Sequence, residues 1–99
     1  MKLEILDLAR GDLIEGYRFY ESQEEGLGDY FLDTLFSDIE SLRIHGGIHR
    51  KAYRNLHRAL SKRFPFAIYY SVESETVRVQ SVVDCRRNPS WIRRHLRDG

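Results

Sequence analysis

The sequence predicts an α+β domain in which a helical hairpin packs on an antiparallel sheet, in the order β-α-α-β-β-β-α. Two observations carry this fold class. Apolar residues recur at helical spacing through the first half of the chain, and three β-forming runs follow in the second half. The 99 residues allow a single domain, spanning residues 1–99, with one modest core.

The chain is expected to begin with a short strand and a long helix. Leu3 and Ile5 alternate with charged residues, which favours a strand that joins the sheet edge. Asp7 is a good N-cap residue, so we expect a helix from there to about residue 23. The predicted buried face consists of Ala9, Leu13, Tyr17 and Tyr20. The predicted exposed face carries Asp12, Glu15, Arg18 and Glu21.

A second helix is predicted over residues 29–44, after a tight connection at Gly26-Leu27-Gly28. Its apolar stripe consists of Phe31, Leu35, Ile39 and Leu42, widened by Leu32 and Phe36. Gly46-Gly47 ends the helix, with one glycine in the left-handed conformation that closes many helices. The two helices therefore form an αα-hairpin.

The second half predicts a three-stranded meander and a final short helix. Residues 48–56 are polar and irregular, and β-like runs then cover residues 57–64, 66–72 and 76–84. Glu73-Ser74-Glu75 is short enough to be a hairpin connection. Asn88-Pro89 breaks the chain, and Ser90 is expected to cap a helix over residues 91–97.

The sequence contains no enzymatic or metal-binding motif of the usual kinds, and no cofactor is expected. Cys85 is the only cysteine, which excludes an internal disulfide, argues against a thiolate zinc site and favours the reducing cytoplasm. His45 and His49 are separated by two glycines and are expected to be exposed loop side chains. No run approaches the roughly 20 apolar residues of a membrane-spanning helix.

The small net charge of +1 conceals a strong asymmetry along the chain. Residues 1–49 hold 4 Lys/Arg and 11 Asp/Glu, a net charge of −7, whereas residues 50–99 hold 12 Lys/Arg and 4 Asp/Glu, a net charge of +8. Arginines interleaved with Tyr53, Tyr69, Tyr70 and Trp91 are typical of nucleic-acid contact and equally of a protein interface. A third interpretation is that the cations balance the domain's own acidic helices.

Two segments resemble the RelE/ParE toxin superfamily of bacterial type II toxin–antitoxin systems, whose members are often called plasmid stabilisation proteins. One is Lys62-Arg63-Phe64-Pro65-Phe66-Ala67-Ile68-Tyr69-Tyr70, and the other is Asp84-Cys85-Arg86-Arg87-Asn88-Pro89. The run from Gly26 to Leu32 is also similar to that family, and the resemblance covers nearly the whole chain. It implies a cognate antitoxin whose tail wraps the toxin, and hence a toxin–antitoxin hetero-oligomer.

The resemblance leaves two activities open. RelE-like members are endoribonucleases that cut messenger RNA in the ribosome, whereas ParE-like members inhibit DNA gyrase by protein binding and have no catalytic site. The ribonuclease pattern has an arginine where this chain has Ala67 and often a lysine where it has Leu60. Its third position, an arginine near the end of the last strand, is matched by Arg86. A tyrosine or histidine is expected soon after, where Trp91 and Ile92 stand and His95 is the nearest titratable residue.

We therefore expect a ParE-like toxin that binds gyrase through its basic surface. The candidate target- or antitoxin-binding residues are Arg58, Lys62, Arg86, Arg87, Trp91, Arg93 and Arg94. For the alternative, a ribosome-dependent ribonuclease, the site residues would be Arg58, Lys62 and Arg86, with Arg58 and Lys62 on one strand face. A third reading is an inactive homologue that acts only as an antitoxin-binding co-repressor.

Overall fold

The predicted α+β architecture is confirmed by a computed structural model that describes residues 1–98. Two long helices form a hairpin on one face of a five-stranded sheet, and a C-terminal helix follows the last strand. The elements are β1 (Lys2–Ile5), α1 (Asp7–Gln23), α2 (Leu27–Glu40), α3 (Leu42–His45), β2 (Lys51–Tyr53), β3 (Leu56–Leu60), β4 (Phe66–Glu73), β5 (Thr76–Asp84) and α4 (Pro89–Asp98).

The sheet is mixed, with the strand order β1-β5-β4-β3-β2. Strands β3 to β5 are antiparallel, as predicted, and β2 is antiparallel to β3. β1, however, pairs with β5 in parallel, from Lys2 opposite Thr76 to Ile5 opposite Val79. The chain leaves β1 through the helical hairpin, enters the far edge of the sheet as β2, and reverses direction at each of the next three strands, so that β5 returns beside β1 and runs parallel to it. β1 lies at the sheet edge, where the sequence predicted it.

One strand was not predicted. The polar segment 48–56 contains β2, which pairs with β3 through an irregular register between Lys51 and Tyr53. An edge strand has a neighbour on one side only and is largely exposed, so it needs little apolar alternation. The sequence pattern therefore misses β2.

Helix ends agree with the prediction to within a few residues, except that the single helix predicted over residues 29–44 is divided at Ser41 into α2 and α3. α1 begins at Asp7, but Leu6 holds the N-cap position without a side-chain hydrogen bond. α2 begins two residues earlier than predicted, and Gly26 before it has a φ of 89°. Gly47 adopts a φ of 96°, the expected left-handed conformation after the hairpin. Asn88 caps α4 in place of Ser90, because its Oδ1 accepts hydrogen bonds from the Ser90 amide (2.8 Å) and hydroxyl (2.6 Å).

Apolar side chains form one cluster on each face of the sheet. The larger cluster lies under the helical hairpin and includes Phe31, Leu35, Ile68, Tyr70 and Val79. The smaller cluster lies under α4 and consists of Leu56, Ala67, Tyr69, Val83 and Leu96. Phe66 and Tyr69 are buried and Phe64 packs against the larger cluster, as expected of core residues.

Two acidic residues lie inside the fold, and one of them, Asp12, was assigned to the exposed face of α1. Asp12 and Asp38 are each 8% exposed. Phe36, which was assigned to the buried stripe of α2, is instead 45% exposed. The buried carboxylates hold separate parts of the fold together, and Asp12 belongs to the surface described next.

Candidate interaction surface

The candidate surface is formed by the sheet face that carries α4, together with the loop between β5 and α4. Leu96 of α4 packs in the cluster with Ala67, Tyr69 and Val83, while Ile92 packs against its margin. Ala67 is only 1% exposed in this cluster. The position at which the ribonuclease pattern would carry an arginine is therefore buried in the α4 cluster.

Arg58 lies on this face in β3, opposite Tyr69 of β4. Its Nε donates to the Tyr69 hydroxyl (3.2 Å), and its Nη2 lies 3.6 Å from Cys85 Sγ, so it links β3 to the end of β5. Arg50, Lys51 and Arg58 line one shallow groove beside β2, which we call the basic groove. Among residues 1–98, none of these three cations has a carboxylate within 4.0 Å.

Lys62 does not share a strand face with Arg58, and that prediction was wrong. β3 ends at Leu60, so Lys62 lies in the connection to β4, where its amide donates to Asp38 Oδ2 (3.2 Å). Asp38 also accepts a hydrogen bond from the Ser61 hydroxyl (2.6 Å). The buried carboxylate of α2 thus shapes this turn and holds Lys62 apart from the basic groove.

Arg86 forms an ion pair with Asp84, two residues earlier in the chain. Its Nε and Nη2 donate to the two carboxylate oxygens of Asp84 at 2.9 and 2.7 Å, and its amide donates to Oδ1 at 2.8 Å. These hydrogen bonds lower the pKa of the Asp84 carboxyl and raise the pKa of the Arg86 guanidinium. Arg58, Lys62 and Arg86 therefore have three separate sets of partners.

Arg87, Trp91 and His95 form a stack along one side of α4. The Arg87 guanidinium carbon lies 4.1 Å from the Trp91 ring centroid, and the His95 ring stacks on Trp91 with centroids 4.6 Å apart. The Arg87 guanidinium and the His95 imidazole are both too close to the Trp91 ring to share one face of it, so they lie on opposite faces of the indole. Arg93 and Arg94 project from the same helix and are exposed.

Asp12 holds this stack against the rest of the domain. Its Oδ1 lies 2.7 Å from His95 Nε2, while its Oδ2 accepts hydrogen bonds from the Ser81 hydroxyl (2.5 Å) and the Val82 amide (2.9 Å). β1 pairs with β5 only as far as Val79, so Val82 has no neighbouring strand on this side. Asp12 accepts the hydrogen bond of the Val82 amide in place of a strand. His95, the nearest titratable residue after Arg86, is engaged here.

A second polar cluster surrounds Tyr70. The Tyr70 hydroxyl lies 2.5 Å from His49 Nδ1 and accepts a hydrogen bond from the Gly47 amide (3.0 Å), and His57 stacks on the ring. Burial lowers the pKa of His49 below its ordinary value of 6.5, and His57 and His45 lower it further. His45 is exposed as predicted, but His49 is a half-buried part of the fold.

An apolar groove lies between β1 and the two long helices, away from the basic groove. Its exposed apolar side chains are Ile14 (51%) and Phe36 (45%). Leu3, Ile5 and Leu32 also line it, and its charged lining residues are of both signs: Glu4, Asp7, Arg10, Glu40 and Arg43. We call this the hairpin groove.

Two other site types receive no support from the described part of the chain. Within residues 1–98, no group of three His, Cys, Asp or Glu side chains is arranged to hold a metal ion. No helix over the same residues is both long and apolar enough to cross a membrane.

Comparison with known proteins gives a likeness of fold. The chain is similar to one from a solved structure described as the chromosomal ParDE TA system from P. aeruginosa, with a TM-score of 0.71 and 14% sequence identity. The match covers 85% of this chain and 95% of that one. Neither a protein-family model nor a curated protein matches this sequence.

Proposed function

We propose that the chain is the toxin of a bacterial type II toxin–antitoxin system, acts in the cytoplasm, inhibits DNA gyrase by binding it, and is neutralised by a cognate antitoxin. The likeness of fold to a ParDE chain supports the system. The burial of Ala67 in the cluster under α4 is the observation that favours binding over RNA cleavage.

Cleavage of RNA by its 2′-hydroxyl needs a positioned group that moves a proton and cations that stabilise the phosphorane. In this chain Arg86 is held by Asp84, and His95 is held by Asp12 and Trp91. Binding a protein surface needs only exposed, well-oriented side chains. Arg87 and Trp91, stacked on each other, are the kind of pair that contributes strongly to protein interfaces.

The antitoxin is proposed to anchor in the hairpin groove. Ile14 and Phe36 offer apolar surface there, which suits apolar anchor residues of an antitoxin tail. The gyrase-binding residues of α4 and this groove are separate sets of side chains. The two interactions can therefore be tested independently.

The gyrase proposal is tested by a supercoiling assay with purified chain. Micromolar chain is expected to stop supercoiling and to make cleaved DNA accumulate. Arg93→Glu with Arg94→Glu is expected to weaken this inhibition at least tenfold, whereas Arg18→Glu, an exposed arginine of α1, leaves it unchanged. Normal supercoiling with no cleaved DNA would overturn the gyrase assignment.

The antitoxin proposal is tested by co-purification with the product of the neighbouring reading frame. Ile14→Asp with Phe36→Asp is expected to abolish capture, because it removes the exposed apolar surface of the groove. Gyrase inhibition is expected to persist, because both side chains are exposed, so that the fold tolerates the change, and neither belongs to α4. Capture that survives this double change would move the antitoxin to another surface.

The basic groove favours a second candidate, a ribosome-dependent endoribonuclease. Arg50, Lys51 and Arg58 could hold the phosphates of messenger RNA. Codon-specific cuts in a translating extract, lost on Arg58→Ala and on Arg86→Ala, would favour this activity over gyrase inhibition. Expression without antitoxin that causes no growth arrest would instead favour the inactive co-repressor.

A further inference from the structure

We infer that the basic groove binds the phosphate backbone of a nucleic-acid duplex, in addition to any protein target of α4. The inference does not depend on gyrase. It rests on the positive charge of the groove, on the lack of carboxylates that pair with its cations, and on the burial and stacking of the nearby aromatic rings.

The groove lies in a long acid-free segment. Residues 41–72 contain no Asp or Glu and seven Lys/Arg, namely Arg43, Arg50, Lys51, Arg54, Arg58, Lys62 and Arg63. Among residues 1–98, only Arg43 of these seven has a carboxylate within 4.0 Å, which belongs to Glu40. A surface whose cations lack internal partners attracts a polyanion over several ångströms.

Arg58 is preorganised within this groove. Its guanidinium is oriented by the Tyr69 hydroxyl and lies beside Cys85, while its amide donates to the Arg50 carbonyl (3.0 Å), which fixes β2 against β3. Arg50 and Lys51 are exposed beside it. An oriented arginine flanked by two exposed cations suits contacts to successive phosphates, which need charge and reach.

The aromatic rings near this face argue for a duplex and against a single strand. Recognition of single strands depends on bases stacking on open aromatic rings. Here Tyr69 and Tyr70 are buried, and Trp91 carries Arg87 and His95 on its two faces. The half-buried Tyr53 has the Arg54 guanidinium 5.1 Å from its ring centroid. Phosphates therefore remain the accessible recognition element.

The inference is tested by fluorescence anisotropy with a labelled 20-base-pair DNA duplex, an RNA duplex and the matching single strand, each titrated at several salt concentrations. Duplex binding is expected to weaken with a slope of log K against log salt of about −3, because three cations each contribute roughly −0.9. Whichever duplex binds more tightly identifies the preferred nucleic acid.

Matched double variants distinguish binding by the cations of the basic groove from binding by the overall charge of the protein. Arg50→Ala with Lys51→Ala is expected to reduce the magnitude of the slope by about two. Arg10→Ala with Arg43→Ala removes two cations that are paired with Asp7 and Glu40, and it is expected to leave the slope unchanged.

Three outcomes would overturn the inference: no salt-dependent binding of either duplex, tighter binding of the single strand, or an equal loss of slope in both double variants. The assay contains no gyrase. Failure here would therefore leave the gyrase proposal standing, and failure of the supercoiling assay would leave duplex binding standing.

Discussion

Asp12 joins three elements that are far apart in sequence. Its carboxylate sits in α1, bonds to Ser81 and Val82 of β5, and reaches His95 of α4. A buried carboxylate is tolerated when its oxygens are satisfied in this way. Asp12 therefore adds a polar link from the first helix to the apolar packing that holds α4 on the sheet.

Replacing Asp12 with alanine is expected to lower the free energy of unfolding by about 2–4 kcal/mol, because it leaves the Ser81 hydroxyl and the Val82 amide without their partner. Urea denaturation measures the loss. Glu15→Ala, at an exposed position of the same helix, is expected to change stability by less than about 0.5 kcal/mol. Equal losses in the two variants would show that Asp12 has no special structural role.

His49 gives the fold a dependence on pH. Its pKa is lowered from 6.5, so the unfolded chain binds a proton at this side chain before the folded chain does. The free energy of unfolding is therefore expected to fall as the pH drops below 6.5 and through the lowered pKa. His49→Gln should flatten this part of the stability curve, whereas His45→Gln, at an exposed position, should retain most of the slope.

At the scale of elements, two glycines of α1 make a matched pair. A Cβ at Gly16 would come within 2.5 Å of the Phe31 ring, whereas a Cβ at Gly11 would meet no atom within 4 Å. Gly11→Ala is expected to stabilise the protein by about 0.5–1 kcal/mol through helix propensity. Gly16→Ala is expected to destabilise it by about 1–3 kcal/mol, because α1 and α2 must separate.

Thermal unfolding of both glycine variants checks this prediction. Stabilisation by both substitutions would mean that Phe31 moves aside freely and that the close approach of α1 to α2 is not required. Stabilisation by Gly11→Ala alone would identify Gly16 as the point at which the helices touch.

The elements with clear periodicity were predictable, and the errors have local causes. α1, β4 and β5 follow their patterns closely, but Asp12 was assigned to the exposed face although α1 turns it toward β5. β5 shifts register between its pairs with Tyr69 and Tyr70, which leaves Val79 and Val82 on the same buried face. A strict two-residue alternation cannot anticipate such a shift.

The candidate surface was predictable in composition and less so in geometry. The four-residue spacing of Arg87, Trp91 and His95 could have indicated their stack. The pairing of Arg86 with Asp84 depends on a turn that no periodic pattern describes. Lys62 was misplaced because the end of β3 at Leu60 is set by the turn that Asp38 holds.

At the scale of the whole molecule, the two faces of the sheet are unequal. The cluster under the helical hairpin includes most of the buried apolar side chains, whereas the cluster under α4 has five buried members. A smaller cluster gives less stabilisation from buried apolar surface. We therefore expect α4 to open more readily than the rest of the domain.

Native-state hydrogen exchange measures this difference. Leu96→Ala is expected to cost about 2–3 kcal/mol and to speed exchange of α4 amides selectively, since Leu96 is the one buried side chain of that helix. Leu35→Ala in the larger cluster should lower protection throughout the sheet. A uniform loss of protection in the Leu96 variant would mean that α4 and the sheet unfold as one unit.

The parallel pairing of β1 with β5 has a consequence for the order of events during synthesis. β1 and α1 leave the ribosome before β5 and α4, yet Lys2 pairs with Thr76, and Asp12 bonds to a side chain 83 residues further along. The hairpin groove contains Leu3 and Ile5 of β1, so it cannot form before β5 has emerged. An antitoxin that anchors in that groove would therefore capture the chain only after β5 has been synthesised, and not an earlier nascent form.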